Sequence, residues 1–346
     1  MRALLLLLSF IVVANGTARE PYSVGSRDFT FLDKARDRKI TTHVWFPSNA
    51  SADAKTPAQP QAQKGPFLPV VAAPNAPLPK GSDQYPVVLL SHGSMGLANR
   101  LFWLADVLVK NGIIVIAVDH PGNMFGNSSA DGLMRVWDRP KDLRFALDEV
   151  LKTHEFQNRI DLSKVSVAGH SAGGAAALLL GGARFSFAQF TNPVPNCGGS
   201  RDPMYKKQCD ELSKLDFKSY GKDVIEGDYS DPRIKSVVAL DPGFTRSFNP
   251  QTLRQLKTPL VLIASKLAEP QDEIFSLDFL KLLKPSQAEV VPESVHMTFL
   301  MACRPGLEKV EDPELKELCA DTQRKLQIQK RVAERTLRFL QSSWDH

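Results

Sequence analysis

Ser171 lies in Gly169-His170-Ser171-Ala172-Gly173, between the apolar run KVSVAG (164–169) and a row of alanines and leucines. A serine hydroxyl is a weak nucleophile until a base takes its proton. A strand, a sharp turn and a helix present such a hydroxyl at a sheet edge, because the flanking glycines permit a strained bend. The G-x-S-x-G spacing alone also fits a glycine-rich turn with a capping serine. Its position between a strand and a helix is the context that the nucleophile requires. The chemistry would be attack on an acyl carbonyl.

Such a serine needs an imidazole, and the chain has seven histidines. On a turn of this kind the acid and then the histidine follow the serine along the chain. His43, His92, His120, His154 and His170 precede Ser171, and His346 is the last residue. His296, in PESVHMTFL, remains, on a loop between the last strand-like run and a short apolar helix. The acid must stand at a strand end between these two, where it can hold the imidazole in one tautomer. Asp241 ends the apolar run IKSVVALD and precedes Pro-Gly, whereas Asp272 lies several residues beyond the next run. The strand terminus favours Asp241, although Asp-Pro-Gly is also a turn former. Asp272, whose other role would be a helix cap, stays open. Donors for the developing oxyanion are expected from the backbone amides of Ala172 and of Ser94, in the glycine-containing stretch LLSHGSMG. His92 would brace that loop without moving a proton.

Positioning these groups requires a sheet. RDFTFLD (27–33) and KITTHVWF (39–46) alternate apolar and polar residues, like two antiparallel edge strands. Fully apolar runs follow at 86–91, 113–119, 164–169, 234–241 and 259–265, the pattern of strands covered on both faces. Amphipathic segments at 99–112 and 138–156 separate the first three, and a last helix is expected over 322–342. The fold class is therefore α/β, a doubly wound and mostly parallel sheet with N-terminal antiparallel edge strands. Residues 50–84, rich in Pro and Ala, suggest an exposed loop insertion. The polar stretch 184–233 suggests either a cap or lid over the carboxyl ends of the strands or a passive surface insertion.

The motifs SHGSMG, VDHPGN, RPKDL, GHSAGG, ALDPGF and SVHMTF together resemble the α/β-hydrolase superfamily. Within it the chain resembles bacterial dienelactone hydrolase-like proteins related to platelet-activating factor acetylhydrolases. The resemblance covers roughly residues 27–345, apart from the two insertions. It implies Ser171 as nucleophile, His296 as base, Asp241 as acid and the Ser94 and Ala172 amides as oxyanion donors. Dienelactone hydrolases proper use cysteine where this chain has Ser171, so the lactone says little about substrate.

The first 18 residues stand apart. Arg2, the run ALLLLLSFIVVA and small residues at Gly16 and Ala18 describe a cleavable secretory signal. The run is shorter than the about 20 apolar residues of a membrane span. Residues 19–346 are read as one domain, periplasmic or secreted. Four cysteines suit an oxidising compartment, with Cys197–Cys209 and Cys303–Cys319 as the simplest pairing. A net charge of +5, with its cations interspersed among acids, is no nucleic-acid footprint.

The expectation is an exported serine hydrolase acting on a small-molecule carboxylic ester through an acyl-enzyme. It would need no metal or organic cofactor, bind no nucleic acid and hold no stable membrane insertion after signal cleavage. The alternatives are cleavage of short-acyl phospholipids, amides or peptides on the same scaffold, and a non-catalytic exported binding protein of the same fold.

Overall fold

The computed structural model describes residues 20–50, 65–191, 215–266 and 277–345. The expected leader, the expected Cys197–Cys209 pairing and Asp272 lie outside the described residues.

The strands are β1 (Ser23–Asp33), β2 (Arg38–Ser48), β3 (Ala73–Pro74), β4 (Tyr85–Ser91), β5 (Ile114–Asp119), β6 (Asn123–Met124), β7 (Asn127–Ser128), β8 (Ile160–His170), β9 (Ile234–Leu240), β10 (Leu260–Ser265) and β11 (Ala288–Val291). Nine of them form one sheet in the order β11-β10-β9-β8-β4-β5-β2-β1-β3, while β6 and β7 make a small antiparallel pair. From β11 to β5 all pairings are parallel. β2 then runs antiparallel to both β5 and β1. The sheet is thus mixed and mostly parallel. β2 lies between β5 and β1 rather than at the edge, and its Val44, Trp45 and Phe46 are completely buried.

Alternate residues of the apolar strands serve opposite faces. Val87, Leu89, Ile114, Ile116 and Val167 pack with α2 (Asp138–Val150) and α3 (Ala172–Leu180) through Leu143, Leu147, Leu178 and Leu179. Val88, Leu90, Val115, Ala117 and Ala168 pack with α1 (Phe102–Lys110) and α4 (Thr322–Trp344) through Leu104, Leu108, Ile328 and Val332. Both faces being covered explains why these runs are mostly apolar, and the buried Ser166 and Ser236 satisfy each other through an Oγ–Oγ hydrogen bond of 2.7 Å. Every residue of α3 is buried, so its sequence has no polar stripe.

Over its described part the Pro/Ala-rich insertion is mixed, with residues 80–84 exposed and a few apolar side chains buried. Phe67, Val70 and Ala72 are buried in the same layer as α1 and α4. Leu68 N donates to the Ala302 carbonyl at 2.8 Å, and Arg304 N to that of Pro66 at 2.8 Å. Proline suppresses any periodicity here, so its burial leaves no trace in the pattern. Cys303 and Cys319 are joined, with Cα atoms 5.3 Å apart. The described ends of the 184–233 stretch are anchored by aromatic rings: Phe190 lies 5.5 Å from Trp137, and Tyr220 lies 5.1 Å from it. Among the described residues, no helix is long and apolar enough to cross a membrane.

Candidate active site

Ser171 follows β8 at φ +56° and ψ −123°, a conformation that a side chain rarely adopts. Backbone bonds hold the bend. Ser171 N donates to the Leu240 carbonyl at 3.0 Å, and the Ser171 carbonyl accepts from Gly243 N at 2.9 Å and Ala175 N at 3.0 Å. The glycines on either side are required by close approach. A Cβ on Gly173 would sit 2.0 Å from the Ser91 carbonyl oxygen, and one on Gly169 would sit 2.2 Å from that of Gly173. Start of α3, end of β8 and end of β4 therefore meet backbone to backbone.

Asp241 stands one residue past β9, at φ +42°, and is buried. Its Oδ2 is 3.0 Å from His296 Nδ1. A carboxylate facing Nδ1 puts the imidazole proton on that nitrogen and leaves Nε2 with the lone pair, an assignment made from the hydrogen-bond network. Ser265, at the end of β10, donates its amide to Asp241 Oδ1 at 3.0 Å and its hydroxyl to Oδ2 at 2.6 Å. The chain after Asp241 turns back on the serine: a Cβ on Gly243 would lie 3.3 Å from Ala172 N and 3.6 Å from Ser171 Oγ.

His296 opens a short 3-10 turn, His296–Phe299, that is tied to two helices. Trp103 of α1 donates Nε1–H to the Phe299 carbonyl at 2.9 Å, and Gln329 of α4 donates to that of Thr298 at 2.8 Å. The ring of His170 packs 4.4 Å from that of His296. Burial, with the neighbouring His296, pushes His170 well below the usual histidine range, so it packs there as a neutral ring.

Of the two residues expected to supply oxyanion amides, Ala172 follows Ser171 directly and Ser94 belongs to a turn packed against it. Ala172 N opens α3, where no intrahelical acceptor exists. Ser94 belongs to the turn Gly93–Gly96, closed by Gly96 N donating to the Gly93 carbonyl at 3.1 Å, with Met95 at φ +54°. A Cβ on Gly93 would stand 3.2 Å from Ser171 Cβ, so this turn abuts the serine. His92 braces it as expected: Nδ1 donates to the Gly93 carbonyl at 2.6 Å, and Nε2 accepts from His120 N at 3.1 Å.

The structure thus brings Asp241 and His296 into hydrogen-bond contact and sets the Ser94 turn and the Gly243 turn against Ser171. Asp272 lies outside the described residues. The sequence reading missed Ser265, Trp103 and Gln329. Only Ser265 left a signal, as the polar end of an otherwise apolar run. Among the described residues, no group of three or more His, Cys, Asp or Glu side chains could hold a metal ion.

Comparison with known proteins agrees with this architecture. Residues 83–189, which include Ser171, match the family model described as serine aminopeptidase, S33. A cutinase of Thermobifida alba is 32% identical over 108 residues, covering 31% of this chain and 33% of that protein. A cutinase of Thermobifida cellulosilytica is 30% identical over 108 residues, covering 31% of this chain and 38% of that protein. The chain therefore matches about a third of the length of these curated relatives. A ferulic acid esterase from Streptomyces cinnamoneus superposes with a TM-score of 0.59 at 20% identity, covering 95% of this chain and 91% of that one. Sheet order, elbow and superposition agree that the chain has an α/β-hydrolase fold.

Proposed function

We propose that the protein is a serine esterase in which Ser171, His296 and Asp241 form a catalytic triad. The observation that carries this reading is the 3.0 Å bond from His296 Nδ1 to the buried Asp241 carboxylate, beside a serine held at a strained strand–helix bend. His296 Nε2 takes the Ser171 proton as Oγ attacks the ester carbonyl, and Asp241 stabilises the imidazolium that results. The Ser94 and Ala172 amides receive the oxyanion. The tetrahedral intermediate expels the alcohol, which takes its proton from His296. Water activated by the same imidazole then releases the acid from the acyl-enzyme.

The cutinase relatives favour an ester over an amide as the scissile bond, while the aminopeptidase name of the matching family model keeps amides as the second reading. The resemblance of its motifs to platelet-activating factor acetylhydrolases adds short-acyl phospholipids to the substrates to be tried. Export is part of the proposal: residues 1–18 have the build of a cleavable leader, and the Cys303–Cys319 disulfide suits an oxidising compartment.

The test is hydrolysis of p-nitrophenyl esters of graded acyl length, beside p-nitroanilides and a short-acyl phosphatidylcholine. Wild type should turn over esters and take a fluorophosphonate label. Ser171→Ala should take none, and His296→Ala should lose about 10⁵-fold or more in kcat. A folded wild type that neither hydrolyses esters nor takes the label would remove this reading in favour of a binding protein.

A further inference from the structure

Behind the turn that carries Ser94 lies a second serine–histidine–aspartate relay. Ser91 Oγ is 2.9 Å from His120 Nε2, and His120 Nδ1 is 3.1 Å from Asp142 Oδ2. Asp142 also accepts from Arg36 Nη1 at 2.7 Å and from Arg38 Nε and Nη2 at 3.0 and 2.8 Å. Burial would raise its pKa, but His120 and Arg38 outweigh that and hold the carboxyl down to about 2. An ionised Asp142 fixes the His120 proton on Nδ1, so Nε2 accepts the Ser91 hydroxyl.

This relay is no second active site. Ser91, His120 and Asp142 are all fully buried, and no substrate carbonyl can approach Ser91. What the Ser91 oxygen holds is Arg139, itself 1% exposed. Arg139 Nη1 donates to Ser91 Oγ at 3.3 Å and to the His92 carbonyl. Its Nη2 faces the carbonyls of Gly93 at 3.4 Å and Asn123 at 3.5 Å. The Asn123 side chain in turn accepts from Met95 N at 3.3 Å. One planar guanidinium thus grips consecutive carbonyls of the turn, a task for which its fork of donors is suited and an ammonium is not.

The Gly93 carbonyl and the Ser94 N–H belong to the same planar trans peptide, in which they point in opposite directions. Arg139 Nη2, His92 Nδ1 and Gly96 N all fix that carbonyl. Fixing it aims the Ser94 N–H the other way. We infer that Arg139 is a positioning residue for the oxyanion hole, holding the Gly93–Ser94 peptide so that its N–H is set before substrate arrives. The inference rests on the esterase reading above. Its physical warrant is that a preorganised donor loses its value when misaimed by a fraction of an ångström. The Ser91–His120–Asp142 relay acts one step further back, by orienting the hydroxyl on which Arg139 rests.

Full-chain Arg139→Lys and Ser91→Ala test this, with active sites counted by fluorophosphonate titration. Arg139→Lys keeps the charge and loses the fork. It should lower kcat for p-nitrophenyl butyrate by about 100-fold with KM within about threefold, and Ser91→Ala should lower it by about 5–10-fold. Affinity for an alkyl trifluoromethyl ketone, whose hemiketal oxyanion occupies the hole, should fall by the same factors as kcat/KM. Titrated Arg139→Lys with wild-type kcat and ketone affinity would overturn the inference, as would a loss of kcat at unchanged ketone affinity. If Arg139→Lys does not fold, Ser91→Ala decides alone: unchanged ketone affinity overturns the inference. A wild type inactive on esters and unlabelled would fail the esterase reading and this inference together. An active wild type with unaffected variants would fail this inference alone.

Discussion

Ser265 donates twice to Asp241, through its amide to Oδ1 at 3.0 Å and through its hydroxyl to Oδ2 at 2.6 Å, and that Oδ2 also receives His296 Nδ1–H. The carboxylate is therefore oriented by the end of the neighbouring strand before the imidazole reaches it. Ser265→Ala removes one of the three donors without touching backbone. Steady-state hydrolysis should show kcat lowered by about 5–30-fold, the worth of about 1–2 kcal/mol, at nearly unchanged KM. Asp241→Asn, which would leave the imidazole in the wrong tautomer, should cost about 10⁴-fold in the same assay.

The contact between Gly173 and the Ser91 carbonyl predicts a sharper failure. An added methyl would stand 2.0 Å from a backbone oxygen that belongs to a central strand and cannot yield. Gly173→Ala should destabilise by about 3 kcal/mol or more, seen as a lowered urea midpoint or as loss of soluble protein. Gly126 offers the control, since nothing lies within 4 Å of its added Cβ. Its positive φ of +77° should cost Gly126→Ala only about 1 kcal/mol.

The Cys303–Cys319 bond joins cysteines with a sequence separation of 16. In the chain-entropy picture its loss should cost about 3 kcal/mol. The double variant Cys303→Ser with Cys319→Ser should unfold at a lower temperature by about 5 °C in calorimetry. The segment it staples begins a few residues past His296, so a fall in activity on reduction should precede loss of secondary structure in circular dichroism.

His43, on β2, has Asp28 2.8 Å from Nδ1 and Asp119 3.1 Å from Nε2. Burial alone would lower its pKa, but the bonds to the two carboxylates outweigh burial and hold the imidazolium up to about 9. The folded value lies above the unfolded value near 6.5, so the stabilisation is complete below about pH 6.5 and is lost as pH rises through about 9. His43→Gln should therefore lose stability against wild type at pH 6 and little at pH 10. Urea titrations at the two values check the sign.

Much of the scaffold was legible in the residues. The five mostly apolar runs became β4, β5, β8, β9 and β10 within a residue or a few, because burial on both faces favours apolar side chains at nearly every position. β11 went unseen: three of its four residues are exposed or half-buried, so no pattern survives. The edge reading of β2 failed because alternation reports which face is buried and not how many neighbours a strand has. At the site, His296 and Asp241 were reachable by order along the chain and by strand ends. Arg139 was not, although RPKDL was noticed. Its acceptors are mostly backbone carbonyls, of His92, Gly93 and Asn123, and carbonyls carry no residue identity.

The backbone contact between Gly173 and Ser91 has one further consequence. It welds hydroxyl and amides into a single block, whereas the imidazole arrives on a separate clasp hung from Trp103 and Gln329. A segment held mainly by side-chain bonds is expected to open before one joined backbone to backbone, so warming should loosen the clasp first. In the proposed triad, activity should then be lost while the Ser171 bend is still in place, because the base has left it.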